Sequence, residues 1–260
     1  MDLHHIRAGA GEPLLLIQGM SGTHRSWGDA FLGQVQQDFD AVAYDHRGIG
    51  LSPATSDPFT LVDLADDAAA LLDTLGWGSA HVLGISMGGM VAQELALRHA
   101  DRVRTLTLGC TYCGGPGSVM TGPATMQKLG AAMTSGDRDL AIRAGYECNV
   151  SAGFREDPAH FEAFRAMALA APAKVATIML QMQAIAGHDT HARLADITQP
   201  TLVIHGTEDE MLPAPNGELI ASLIPAAELQ LWDGVGHMFW WEQPDRSAAA
   251  LRAHALQTAS

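Results

Sequence analysis

The sequence predicts an α/β fold: a mostly parallel, doubly wound sheet flanked by helices, interrupted once by a helical insertion. Three observations carry this expectation. Over the first 110 residues, short apolar runs alternate with stretches whose apolar residues recur at helical spacing. That rhythm stops after Leu108 and resumes at Thr201. Where one run passes into a helical pattern, Gly84-Ile85-Ser86-Met87-Gly88 makes a sharp turn with a serine at its apex.

Taken in order, residues 4–7 suit an edge strand that turns at Gly9-Ala10-Gly11. Leu14-Leu15-Leu16-Ile17 is apolar throughout, as a central strand buried on both faces requires. It stops at the flexible loop Gln18-Gly19-Met20-Ser21-Gly22, and a helix starts near Ser26-Trp27. A strand over 39–44 leads into Asp45-His46-Arg47-Gly48-Ile49-Gly50-Leu51-Ser52-Pro53. Leu61, Leu64, Ala65, Ala68, Leu71 and Leu72 then fall on one helical face. The run ending at Ile85 is a strand; Met90, Val91, Leu95 and Leu97 begin a helix that reaches about His99, and 103–108 is the next strand. From 111 to 199 no strand pattern is present. A Gly/Pro-rich linker leads to helical patches at 124–134, 137–149, 158–171 and 174–186. Strands over 201–205 and 228–231 enclose a helix near 216–223, and a last helix starts at about Asp245. The expected division is 1–110 and 200–260 as two parts of one core, with 111–199 inserted between them.

Composition narrows the function classes. A net charge of -14 repels both nucleic acid and anionic membranes. The uncharged run 105–127 is broken by Gly114, Gly115, Pro116, Gly117, Gly122 and Pro123, so it does not read as a membrane helix. The N-terminal residues lack the basic and apolar regions of a signal peptide. Three cysteines make no disulfide framework, and Cys110-Thr-Tyr-Cys113 has no second pair to complete a zinc site. His188-Asp189-Thr190-His191 lacks a third ligand nearby, so no metal or other cofactor is expected. A cytoplasmic protein acting on a small molecule is the expectation, with homo-oligomerisation left open.

The chemistry begins at Ser86. Glycines two residues either side suit a strained turn, because a β-carbon there would collide with the adjoining strand or helix. The turn lifts the hydroxyl clear of the sheet and sets the next backbone N–H at a helix N-terminus. A serine hydroxyl is a poor nucleophile at neutral pH, so it needs a base, an orienting acid and donors for an oxyanion. In an open α/β sheet these stand beyond the carboxyl ends of strands. After the strand 201–205 come Glu208, Asp209 and Glu210, any of which could be the acid on chemistry alone. After the last strand comes His237, the histidine on a loop late enough to complete a Ser–acid–His order.

These motifs resemble the α/β-hydrolase superfamily over nearly the whole chain. They are the elbow at Ser86, Gly-x-x-Asp-x-x-x-Pro from Gly206 to Pro213, Gly236-His237, and Asp45-x-Arg47-Gly48-x-Gly50-x-Ser52, whose role in the family is structural. The resemblance implies Ser86 as nucleophile, His237 as base and Asp209 rather than its glutamate neighbours as acid. It implies an oxyanion hole from the backbone N–H groups of Met20 and Met87, and a helical lid over 111–199, inserted after the family's sixth strand. Each oxyanion donor is typically worth about 3 kcal/mol. The chain departs from many relatives in having Gln18-Gly19 where they have His-Gly. A serine at the elbow also excludes the branches that use aspartate to open epoxides or displace halide.

Around this site Gly19, Tyr112, Met238 and Trp240 are the candidate substrate contacts, while Trp27 and Trp77 read as packing residues. Met120, Met126, Met133, Met167, Met179 and Met182 suit either an adaptable apolar pocket or the core between lid helices. The expected activity is cofactor-independent hydrolysis of a small or medium, largely apolar ester or lactone, with a weak likeness to enol-lactonases and aromatic-polyketide methyl esterases. The same triad also serves carbon–carbon hydrolysis of β-diketones, or a ligand-binding receptor with slow turnover.

Overall fold

The computed structural model describes residues 2–225 and 227–257. The ends of the expected core segments, residue 1 and residues 258–260, lie outside them. Seven described strands form one sheet: β1 (His5–Ala8), β2 (Glu12–Ile17), β3 (Phe39–Tyr44), β4 (Ala80–Ile85), β5 (Val103–Gly109), β6 (Thr201–Gly206) and β7 (Glu228–Trp232). Their spatial order is β1-β3-β2-β4-β5-β6-β7. Only β1 is antiparallel, to β3; the other pairs are parallel, so the sheet is doubly wound as expected.

The apolar runs divide their side chains between two cores by the alternation of a strand. Leu14, Leu16, Ala41, Ala43, Leu83, Ile85, Leu202 and Ile204 face one cluster, filled out by α1 (Asp29–Val35) and α10 (Pro244–Gln257). Leu15, Ile17, Val42, Tyr44, Val82 and Val203 face the other, covered by α2 (Leu61–Thr74), α3 (Met87–Arg98) and α8 (Pro215–Leu223). Helices on both faces explain why these strands read as continuous apolar runs.

Between β5 and β6 lie α4 (Pro123–Thr134), α5 (Arg138–Asn149), α6 (Pro158–Ala170) and α7 (Val175–Ala186). The insertion thus follows the fifth strand of this chain. Five described strands precede it, one fewer than the six the family resemblance implied. A four-residue helix, α9 (Phe239–Glu242), follows His237 and did not register as a periodic pattern because it is one turn long. No single described helix is long and apolar enough to cross a membrane. The Asp45 loop has a structural role: its buried carboxylate accepts the backbone N–H of His24 at 2.7 Å and of Leu51 at 2.9 Å.

Strand order reverses between β2 and β4, which are neighbours with Ile17 opposite Gly84. The crevice beyond their carboxyl ends is where an open α/β sheet leaves room for a ligand. The loop 18–22 leaves one of these strands and Ser86 leaves the other.

Candidate active site

Ser86 sits at φ 52° and ψ -124°, a backbone region that costs a non-glycine residue about 1–3 kcal/mol. The neighbours hold it there. A β-carbon on Gly84 would lie 2.3 Å from the Gly88 carbonyl oxygen, and one on Gly88 would lie 2.1 Å from that of Ile17. Thr111 donates its hydroxyl to the Ser86 carbonyl at 2.7 Å. The strand–turn–helix join therefore closes only with glycine at both positions.

Gly19 runs against the nucleophile: a β-carbon there would lie 3.0 Å from Ser86 Cβ and 3.5 Å from Ser86 Oγ. The loop around it is held at several points. Gly19 N–H donates to Gln18 Oε1 at 2.9 Å, and Ser21 N–H donates to Gln181 Oε1 of α7 at 2.9 Å. The Gln18 carbonyl accepts from His46 Nε2 at 2.9 Å. Met20 lies between two amides that are already engaged. Met87 is the first residue of α3, so its N–H has no acceptor within the helix.

Asp209 and His237 meet across the loops after β6 and β7. His237 Nδ1 lies 2.7 Å from Asp209 Oδ2, and because a carboxylate only accepts, Nδ1 carries a proton and Nε2 is the ring nitrogen the acid leaves free. Asp209 is buried, and its Oδ1 accepts Met211 N–H at 2.9 Å and Leu212 N–H at 2.8 Å. Burial alone would raise this carboxyl. The charge of His237 and the ring N–H bonds from His205 and His237 outweigh it and hold the group down at about 2. Glu208 and Glu210 are exposed and turn to other partners, Ala152 N–H and Arg155.

Ser86, His237, Gly19 and Met20 line one cavity of about 540 Å³. Its far side comes from the insertion, through residues such as Met133, Ile142, Phe164, Met167 and Ile178. Met238 and Trp240 also line it, and the Trp240 indole N–H donates to the Ser26 carbonyl at 3.1 Å. Tyr112 does not line it. Its hydroxyl donates to the Ile185 carbonyl at 3.1 Å, which anchors the end of α7 to the core instead. Of the six insertion methionines, Met133 and Met167 line the cavity, while Met120, Met126, Met179 and Met182 are exposed rather than packed between helices. Trp27 is fully buried and Trp77 nearly so, as packing residues.

Three residues at the site were not singled out from the sequence. His205, inside β6, places Nε2 3.2 Å from Asp209 Oδ2 and 2.6 Å from the Leu212 carbonyl; both are acceptors, so Nε2 is the protonated nitrogen. Glu242 of α9 accepts Gly236 N–H at 3.0 Å and Ser151 N–H at 2.9 Å, tying the His237 loop to the end of α5. Gln181 holds the loop beside Ser86. Gln181 and the nearby Thr177 are buried polar residues one turn apart in a helix whose one other polar residue is Gln183.

Among the described residues, His4, His24 and Asp45 form a group whose ligand atoms lie within 4.8 Å of one another. The Asp45 carboxylate there is already occupied by His24 Nδ1 at 2.9 Å and by two backbone amides. Burial raises the thiols of Cys110 and Cys113, which makes them poor nucleophiles.

The alpha/beta hydrolase family model matches residues 14–250. A protein of Azorhizobium caulinodans provisionally named carbamate hydrolase RutD is 29% identical, over 94% of this chain and 91% of its own. Rhodomycin D methylesterase DnrP of Streptomyces peucetius is 30% identical over 94% and 91%. Among solved structures, a hydrolase from Pseudomonas aeruginosa superposes with a TM-score of 0.82 at 32% identity, covering 97% of this chain and 93% of that one.

Proposed function

Since the chain belongs to the alpha/beta hydrolase family, we propose that it is a cofactor-independent serine hydrolase of a small or medium, largely apolar carboxylic ester or lactone. The observation that carries this reading is the convergence of a strained Ser86 and an Asp209-held His237 on one largely apolar cavity. Ser86 Oγ attacks the carbonyl carbon while His237 Nε2 takes its proton. Asp209 fixes the tautomer and stabilises the imidazolium. The oxyanion is met by Met20 and Met87 N–H, His237 returns the proton to the leaving alkoxide, and water repeats the sequence to release the acid. Residues 111–199 act as a cap that excludes water, with 1–110 and 200–260 as the two parts of the core. Free, buried thiols at Cys110, Cys113 and Cys148 suit a reducing, cytoplasmic setting.

Likeness to a methylesterase supports the ester reading. Likeness to RutD favours carbamate cleavage as the second reading, since the same groups would open that bond. The test is hydrolysis of p-nitrophenyl esters of increasing acyl length and of an N-alkyl p-nitrophenyl carbamate, by wild type and Ser86→Ala. Rapid multiple turnover of esters that vanishes in the variant is the expected result. Faster turnover of the carbamate would replace the first reading with the second, and equal inertness of both proteins would overturn both.

A further inference from the structure

We propose that the substrate carries a carboxylate remote from the scissile bond and that Arg138 receives it. This rests on the serine-hydrolase reading and adds the chemical class of the substrate. The cavity that holds Ser86 and His237 is lined mostly by apolar and uncharged polar residues; among the described residues no aspartate or glutamate lines it, and Arg138 is its only arginine or lysine.

Elsewhere in the insertion most cations are matched; among the described residues Lys174 is not, but it does not line the cavity. Lys128 pairs with Glu147 at 2.7 Å, Arg155 with Glu210 at 3.2 Å and Arg165 with Asp139 at 2.9 Å, while Arg143 lies 3.8 Å over the Phe161 ring. Arg138 has no carboxylate or ring partner among the described residues. Its acidic neighbours in sequence are engaged otherwise: Asp137 caps α5 by accepting Leu140 N–H at 3.1 Å, and Asp139 holds Arg165. Neither lines the cavity.

The guanidinium of Arg25 is likewise unmatched among the described residues, but it does not line this cavity, so Arg138 is the unmatched cation beside Ser86 and His237. Arg138 is exposed on its helix, so the anion end of the ligand sits toward the mouth of the cavity and the ester sits inward at Ser86. Once a ligand fills the apolar space between them, screening falls and a cation facing an anion is worth more than in water. The planar guanidinium matches a carboxylate with two parallel N–H bonds. A neutral ligand of the same shape would cover the cation without pairing it, so the arrangement selects as well as binds. One arginine suits a monoanionic carboxylate better than a phosphate dianion, which a single positive charge would leave half neutralised.

The test compares p-nitrophenyl monoesters of adipic and suberic acid with neutral p-nitrophenyl esters of equal chain length, as a ratio of kcat/KM within each length. The anionic-to-neutral ratio should fall about tenfold in Arg138→Met, further in Arg138→Glu, and be largely retained in Arg138→Lys. In wild type it should also fall in about 0.5 M salt. A ratio within about twofold of wild type in both Arg138→Met and Arg138→Glu would overturn the proposal. Calorimetric binding of the same pairs to Ser86→Ala, with and without Arg138→Met, reads selectivity without turnover. Arg138-dependent anion selectivity in binding, with neither ester hydrolysed by wild type, would sink the hydrolase reading alone. Absence of that selectivity would sink this one.

Discussion

Asp209 is a carboxylate that four donors hold charged in a buried place, and its environment makes two predictions. In the proposed mechanism, Asp209→Asn leaves the shape of the site but loses the acceptor that fixes His237, so kcat should fall about 10³-fold or more with the fold intact. Its folded value of about 2 lies below the ordinary aspartate value of 3.8. A depressed acid contributes stability above its unfolded pKa and loses it as pH falls through the folded one. Urea unfolding should therefore show wild type losing about 2 kcal/mol more than Asp209→Asn between about pH 5 and about pH 2. An equal loss in both proteins would mean the ion pair is not coupled to folding. His205→Ala removes one N–H from the same oxygen, and a hydrogen bond to a charged group is worth about 1.5–3 kcal/mol. Turnover should drop about tenfold or more. Unchanged kcat would assign His205 to packing under Gly217, whose added β-carbon would lie 2.8 Å from its Nδ1.

At the scale of elements, the turn from β4 to α3 and the docking of α7 decide whether the loops meet. Gly88→Ala would push a methyl group into the end of β2, where the nearest backbone oxygen is 2.1 Å away. Little space exists for relaxation, so the variant should be destabilised by several kcal/mol, measurable as a loss of soluble protein or a large fall in Tm. α7 presents Thr177 and Gln181 to the core, one bonded to the Gly48 carbonyl at 3.3 Å and the other to Ser21 N–H. Gln181→Met keeps the side-chain bulk but removes the acceptor that holds the loop 18–22; in the proposed mechanism kcat should fall with KM little changed, and amide exchange at Ser21 should quicken. Gln181→Glu keeps an acceptor oxygen and should retain most activity. If both variants lost activity equally, the glutamine would act by packing.

Across the whole molecule, one sheet separates two cores, and each core is closed by its own helices. Leu64 belongs to one and Phe31 to the other. Leu64→Ala and Phe31→Ala should each cost about 2–5 kcal/mol by leaving cavities. Because the two clusters share no side chains, the double variant in urea denaturation should lose the sum to within about 0.5 kcal/mol. A coupling energy well above that would mean the sheet transmits strain between its faces.

The sequence by itself determined the strand–helix alternation, the two-sided burial of the strands and the turn at Ser86. These follow from period, apolar runs and the steric needs of glycine, which are properties of neighbours along the chain. It also placed Asp209 and His237 on loops after the right strands, although choosing Asp209 over Glu208 and Glu210 took a family resemblance. Only the tertiary structure decided that His205 leans on Asp209, that Glu242 reaches Ser151, 91 residues before it, and ties it to Gly236, and that Tyr112 anchors α7 rather than facing the cavity. It likewise decided that Arg138, without a charged or ring partner among the described residues, stands beside Ser86's cavity. Such pairings depend on where distant segments pack, and a side chain's own residue type does not encode its partner.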